Sequence, residues 1–360
     1  MVPKYSKQLI QMKDLKYLLA YIAPLAAYLG IYYGGIWSLG AIYIGYVMIP
    51  LLESFLPKTT FNHPTEEEPK RLSNHFFDIL LYLNIPLLFG LLWYFFSTIA
   101  AGLNTTGEII GMTFNVGIIV SIIGINVAHE LGHRNNAIEQ TMSKMLLMTA
   151  LYMHFNIEHN LGHHKNVATE KDPASARQGE NVYGFIVRST FGGYFSAWEI
   201  ENKRLKKLRL SIMHWRNQMI WFHLIQMTYL FLVGLYFGWI VVPFAIAVGV
   251  LGFVMLELIN YIEHYGLQRK KLASGRYENV SPKHSWNSDH EVGRIFLYEL
   301  TRHSDHHYKA NRKYQILRRM DESPQLPYGY PTSILISFVP PLWFHLMDKE
   351  VFRYTNLSTV

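Results

Sequence analysis

A chain of 360 residues that is 50% hydrophobic and only 16% charged falls well short of the roughly 25% charged residues usual in soluble domains, which excludes disorder and collagen-like structure and points toward lipid. The absence of any cysteine removes disulfide frameworks, thiolate zinc sites, iron–sulfur clusters, thiolate-ligated haem and cysteine nucleophiles. What remains informative is a net charge of +7 and 17 histidines: a metal here must be held by imidazole and carboxylate.

In chain order, the 33 Lys and Arg residues leave three empty windows, 17–57, 72–133 and 217–268. Each is long enough for two helices of the ~20 apolar residues that cross a ~30 Å hydrocarbon core. The first pair is predicted at 17–33 and 36–55, joined at Gly34-Gly35, and the second at 78–100 and 108–128, joined through 102–107. The third covers 219–237 and 239–263, broken only at Gly238. No hairpin tip carries a basic residue, whereas Lys4, Lys7, Lys13 and Lys16, then Lys58, Lys70 and Arg71, and the two long polar segments carry them all. The positive-inside rule then puts both termini and both long segments in the cytoplasm.

The expectation is an all-α integral membrane protein of six spans in three hairpins under a cytoplasmic helical cap. It divides into 1–128 with spans one to four, a cytoplasmic segment 129–217, spans five and six at 218–263, and a C-terminal cytoplasmic segment 264–360. The first apolar stretch has no small-residue cleavage site after it, so it reads as a span and not a signal peptide. No P-loop or GxGxxG turn occurs, so no nicotinamide or flavin domain is built in, and no nucleic-acid-binding fold is recognisable. The run Lys203-Arg204-Leu205-Lys206-Lys207-Leu208-Arg209 suits either a membrane-surface helix or a dock for an acidic partner.

Nine histidines fall in four groups at the cytoplasmic ends of the spans. The first is His129-Glu130-Leu131-Gly132-His133, whose imidazoles share a helix face four residues apart. In Glu158-His159-Asn160-Leu161-Gly162-His163-His164, His159 and His163 are expected to share a face, with His164 rotated ~100° toward a neighbouring metal. His264 closes the sixth span, and His303, His306 and His307 follow Arg302. One ion does not take nine ligands, so the count argues for two. His63, His75, His154, His214, His223, His284, His290 and His345 read as structural. Taken alone, His129–His133 also satisfies HExxH, the zinc-protease pattern in which the glutamate activates water, but that site needs one more protein ligand, not seven more histidines.

Imidazole suits zinc, copper, iron and nickel alike. A site at the lipid boundary favours oxidation of a lipid-soluble substrate by a redox metal. HELGHR at His129, EHNLGHHKNVAT at Glu158, NYIEHYGL at Asn260 and LTRHSDHH at Leu300 together resemble the membrane-bound non-haem diiron alkane 1-monooxygenases (alkane ω-hydroxylases). These sit within the integral-membrane fatty acid desaturase and hydroxylase superfamily, alongside xylene monooxygenases.

The resemblance implies two irons held by His129, His133, His159, His163, His164, His264, His303, His306 and His307. It implies O₂-dependent terminal hydroxylation of a medium-chain n-alkane in a bacterial inner membrane. Electrons would come from rubredoxin, itself reduced by an NADH-dependent reductase. Glu130, Glu158, Asp172, Asn260, Glu263 and Asp305 are candidates to accept an imidazole N–H, with a directly ligating carboxylate as an alternative. Ile122, Ile125 and Leu256, one and two turns before ligands, are channel candidates. Gly45 and Gly249 would admit either a passing substrate chain or a close neighbouring helix. A fatty acid desaturase or xylene monooxygenase would use nearly the same metal site.

Overall fold

The computed structural model describes residues 12–357; Lys4 and Lys7, counted above toward the charge asymmetry, lie outside them. Among the described residues six helices are long and apolar enough to cross a membrane. These are α1 (Met12–Tyr33), α2 (Gly35–Phe55), α3 (His75–Ala101), α4 (Thr106–Gly132), and, after cap helices α5 (Ala137–Thr149), α6 (155–166) and α7 (Val182–Lys207), α8 (Gln218–Phe237) and α9 (Trp239–His264). Short helices α10 (Glu291–Phe296) and α11 (His303–Tyr308) follow, then α12 (Tyr330–Ser337) and α13 (Pro340–Leu357). Among the described residues the only β pairing is three isolated bridges.

The hairpin tips are built where the sequence places them. Gly34 turns α1 into α2 at φ +62°, and Gly238 turns α8 into α9 at φ +93°, a backbone region that other residues enter at a steric cost. Thr105 and Glu108 form a capping box at the start of α4, and Glu108 Oε1 also accepts from Gly35 N at 2.7 Å, tying two tips together. In the apolar interior, Asn115 of α4 accepts from Ala41 N (2.7 Å) and donates to Ala27 O (3.1 Å). Such amide bridges join helices where no water competes.

α4 is the most enclosed of the six candidate spans and α8 the least. α4 also runs a turn past its expected end, so His129 lies inside the helix. The cap is fastened by buried arginines. Arg134 reaches Glu130 (2.8 Å) on α4, Asp78 (2.9 Å) on α3 and Glu139 (3.2 Å) on α5. Glu299 pairs with Arg294 (2.7 Å) and accepts from Tyr17 OH (2.6 Å). Burial alone would raise Glu299, but Arg294 and Arg302 hold its carboxyl at about 2. Three helical stretches widen to π geometry: Ile44–Met48 in α2, Val120–Ile125 in α4 and His159–His163 in α6.

Candidate dimetal centre

Four helices, α4, α6, α9 and α11, bring all nine imidazoles together in two sets. His129, His133, His159, His164 and His306 form one; His163, His264, His303 and His307 form the other. Within each set one ligand atom per residue lies within 4.8 Å of every other. Neighbours meet Nε2 to Nε2. In the first set His133 meets His159 at 3.1 Å, His159 meets His164 at 3.0 Å, and His164 meets His306 at 3.1 Å. In the second, His264 meets His303 at 3.3 Å, His303 meets His307 at 3.0 Å, and His307 meets His163 at 3.2 Å.

Those contacts do not close as hydrogen bonds. A ring nitrogen carries either one proton or one lone pair, so a run of four Nε2 atoms satisfies at most two of its three contacts. His129 Nε2 is buried with no partner at all. Converging unsatisfied lone pairs of this kind are what a cation resolves. The donor set is ready for one. Burial pushes His133 down to about 3 and holds His159, His164, His303, His306 and His307 well below the usual imidazole range. The neutral ring is the ligating form. His163 moves the other way: burial would lower it, but the Asp172 carboxylate, 2.9 Å from Nδ1, raises it. Ser175 Oγ, 2.6 Å from the same Oδ2, fixes that carboxylate. Asp172 thus accepts from Nδ1 and leaves His163 Nε2 facing its set.

The distribution within α6 differs from the expectation of a regular helix. His159 and His163 do not share a set; His159 and His164 do, and His163 joins the other. The π stretch over His159–His163 is the cause, because its i→i+5 bonding brings His164, five positions after His159, onto the face of His159.

The expected imidazole acceptors divide similarly. Glu263 Oε2 lies 3.1 Å from His303 Nε2, and its Oε1 accepts from Tyr330 OH at 2.8 Å. Glu263 therefore addresses the ligating nitrogen of a histidine on another helix and not the N–H of its neighbour His264. Glu130 and Asp305 meet arginines instead. Glu130 binds Arg134 and Tyr314 N, while both Asp305 oxygens lie 2.8 Å from Arg312. With Glu130 engaged by Arg134, HExxH lacks the free base that peptide hydrolysis requires. Asn260 donates to Glu257 Oε2 at 3.4 Å, away from His264. Glu158 shares a small polar cavity with Glu257, His163 and Asn260, where burial and Asp172 push its carboxyl up.

Glu257 and Tyr330 were not singled out from sequence. A carboxylate two turns before a ligand, inside an apolar span, was the available signal for Glu257. Tyr330 offered none, being brought to Glu263 only by the fold.

Below the imidazoles lies a narrow apolar cavity of about 60 Å³, lined from α2 by Ile44, Gly45 and Ile49, from α4 by Ile118 and Ile122, and from α9 by Met255. Leu297 and Tyr330 close its cap side. Of the channel candidates, Ile122 is among the lining residues. Ile125 and Leu256 are not: both are packed in the core. A Cβ on Gly45 would meet nothing within 4 Å, whereas one on Gly249 would sit 3.2 Å from the backbone of Ala150. Gly45 therefore opens the cavity, and Gly249 admits a neighbouring helix.

Comparison with known proteins agrees with this architecture. A protein-family model described as "Fatty acid desaturase" matches residues 107–335, which places the chain in that class of membrane proteins. It is 38% identical to alkane 1-monooxygenase 2 of Pseudomonas aeruginosa over 343 residues, covering 92% of this chain and 91% of the relative. It is also 38% identical to alkane 1-monooxygenase of Acinetobacter baylyi, over 89% of this chain and 78% of the relative. The hydroxylase component of xylene/toluene monooxygenase of Pseudomonas putida is 27% identical over 95% of this chain and 90% of that protein. The chain belongs to the alkane 1-monooxygenase family.

Proposed function

We propose that the protein hydroxylates the terminal carbon of medium-chain n-alkanes to primary alcohols, using O₂, two irons and electrons from rubredoxin reduced by an NADH-dependent reductase. The observation that carries this reading is the pair of converging imidazole sets beside an apolar cavity among membrane spans. His129, His133, His159, His164 and His306 would hold one iron, and His163, His264, His303 and His307 the other, with Glu263 near enough to join the second. Bound there, the irons would supply the electrons that activate O₂ for attack on an unactivated C–H bond.

The chain's own residues do the positioning. Gly45, Ile118 and Ile122 shape a slot that admits an unbranched chain end first, so that placement overrides the lower strength of internal C–H bonds. Asp172 orients His163, and the arginine-fastened cap shields the site from bulk water. The alkane enters from lipid, in a bacterial inner membrane with both termini cytoplasmic.

The test is metal analysis of the purified protein, then turnover with rubredoxin, reductase, NADH and octane under O₂. About two irons per chain and 1-octanol are expected. Turnover of an acyl thioester or of p-xylene in preference to octane would move the protein to the desaturase or xylene branch, and zinc with peptide cleavage would overturn the reading altogether.

A further inference from the structure

α7 is amphipathic in the sense opposite to that of a solvent-facing cap helix. Its buried face repeats every four residues through Phe185, Ser189, Gly193, Ala197 and Glu201. Two residues out of phase, about 200° around the helix, Tyr183, Val187, Phe191 and Phe195 form an unbroken stripe that is 54% to 64% exposed. A helix bathed in cytoplasm carries polar side chains on that face.

Its depth follows from its contacts with the third hairpin. Near its C-terminal end Glu201 Oε1 accepts from Gln218 N (2.7 Å), the first residue of α8. One helical turn and more earlier, Tyr194 OH lies 3.0 Å from His223 Nε2, five residues into α8. Ser189 is bonded to Glu257, seven residues before α9 ends. At 1.5 Å per residue these contacts lie at the cytoplasmic ends of the spans and about 7–10 Å below them. That is the layer in which interfacial helices bury an apolar face.

The end of α7 has the matching charge. Lys203 pairs with Glu199 and Arg204 with Glu201, which leaves Lys206, Lys207 and Arg209 without a salt bridge among the described residues. The turn beyond exposes Ile212, Met213 and Trp215, at 48%, 78% and 68%, with the Arg216 guanidinium over the Trp215 ring at 5.3 Å. Aromatic, aliphatic and basic side chains interleaved in this way mark the headgroup level of a membrane.

We propose that α7 and the turn after it form an in-plane anchor in the cytoplasmic leaflet, with the Tyr183–Phe195 stripe among acyl chains and Lys206, Lys207 and Arg209 on anionic phospholipid headgroups. The anchor stands whether or not the metals are iron. Its inner face packs against Glu158, through Gly193, and against Glu257, so the lipid-seated helix forms one wall of the polar cavity behind His163.

The cysteine-free chain permits a direct test on the full-length protein. Val187→Cys, Phe191→Cys and Lys207→Cys are each labelled with a nitroxide in nanodiscs of phosphatidylcholine with or without phosphatidylglycerol. Relaxation by dissolved O₂ is compared with relaxation by a water-soluble nickel chelate. Labels at 187 and 191 are expected to favour O₂ and the label at 207 to favour nickel. Nickel access at 187 and 191, or protection there only after an acidic soluble protein is added, overturns the anchor. The triple variant Lys206→Gln, Lys207→Gln, Arg209→Gln is expected to lower the preference for spin-labelled phosphatidylglycerol over phosphatidylcholine by about threefold or more. An unchanged preference overturns the headgroup assignment.

Discussion

Asp172 is the carboxylate that meets a clustered imidazole at the nitrogen facing away from its set, 2.9 Å from His163 Nδ1. Asp172→Asn keeps the shape but removes the charge, and is expected to weaken metal retention by about 10- to 100-fold, measured as metal per chain after dialysis against a graded chelator. The other imidazoles dictate how the metal-free protein responds to pH. His133 is held at about 3 and its companions outside the spans are also low, whereas an unfolded chain protonates its histidines below ~6.5. The unfolded state therefore binds more protons in the window from about 3 to 6.5, and stability rises with pH there. His163 has the opposite sign and a separate window: its raised pKa contributes stability fully present below ~6.5 and lost only as pH rises from there through its folded value, so it does not offset the others on the acid side. The melting temperature of stripped protein should fall steadily on acidification from about pH 7 to 5; a flat profile would contradict neutral ligands.

Helices explain which features were legible in the sequence. The six spans were readable because basic residues are absent from three windows and glycine marks each tip. The partition of α6 was not, because a π stretch looks like any other helix in sequence; here Gly162 packs against Glu158 and Ile200, contacts that only the fold supplies. The acidic neighbours were misdirected for a simpler reason. A residue next to a ligand on a helix points ~100° away from it, so Glu130, Glu263 and Asp305 reach partners on other segments. The two marked glycines make a paired prediction at this scale. Gly45→Leu enters open cavity space and should cut turnover of longer alkanes more than that of shorter ones, at unchanged metal content. Gly249→Leu meets the Ala150 backbone and should cost about 1–3 kcal/mol of stability, seen in thermal unfolding in detergent. Interchanged outcomes would place the substrate cavity beside Gly249 on α9 and not between α2 and α4.

Across the whole molecule, two kinds of fastening hold the cap to the spans. The Arg134 clamp joins α3, α4 and α5 by ion pairs that exist without metal. The imidazole sets join α4 to α6 and α11, and α9 to α6 and α11, through ring nitrogens that contact one another without closing as hydrogen bonds. Metal ligation would therefore fasten segments far apart in sequence, and its binding energy becomes folding energy. A ligand present at 1,000 times its dissociation constant stabilises the native state by about 4 kcal/mol, so two ions bound there would contribute to the tertiary structure as well as to any chemistry at the site. Chelation should lower the melting temperature and raise amide hydrogen exchange in α6 and α11, while α3 and α5 near Arg134 stay protected. Re-addition of ferrous iron should reverse both changes. A melting temperature and exchange pattern indifferent to metal would mean that the cap closes on its arginines alone, leaving the nine histidines no part in stabilising the fold.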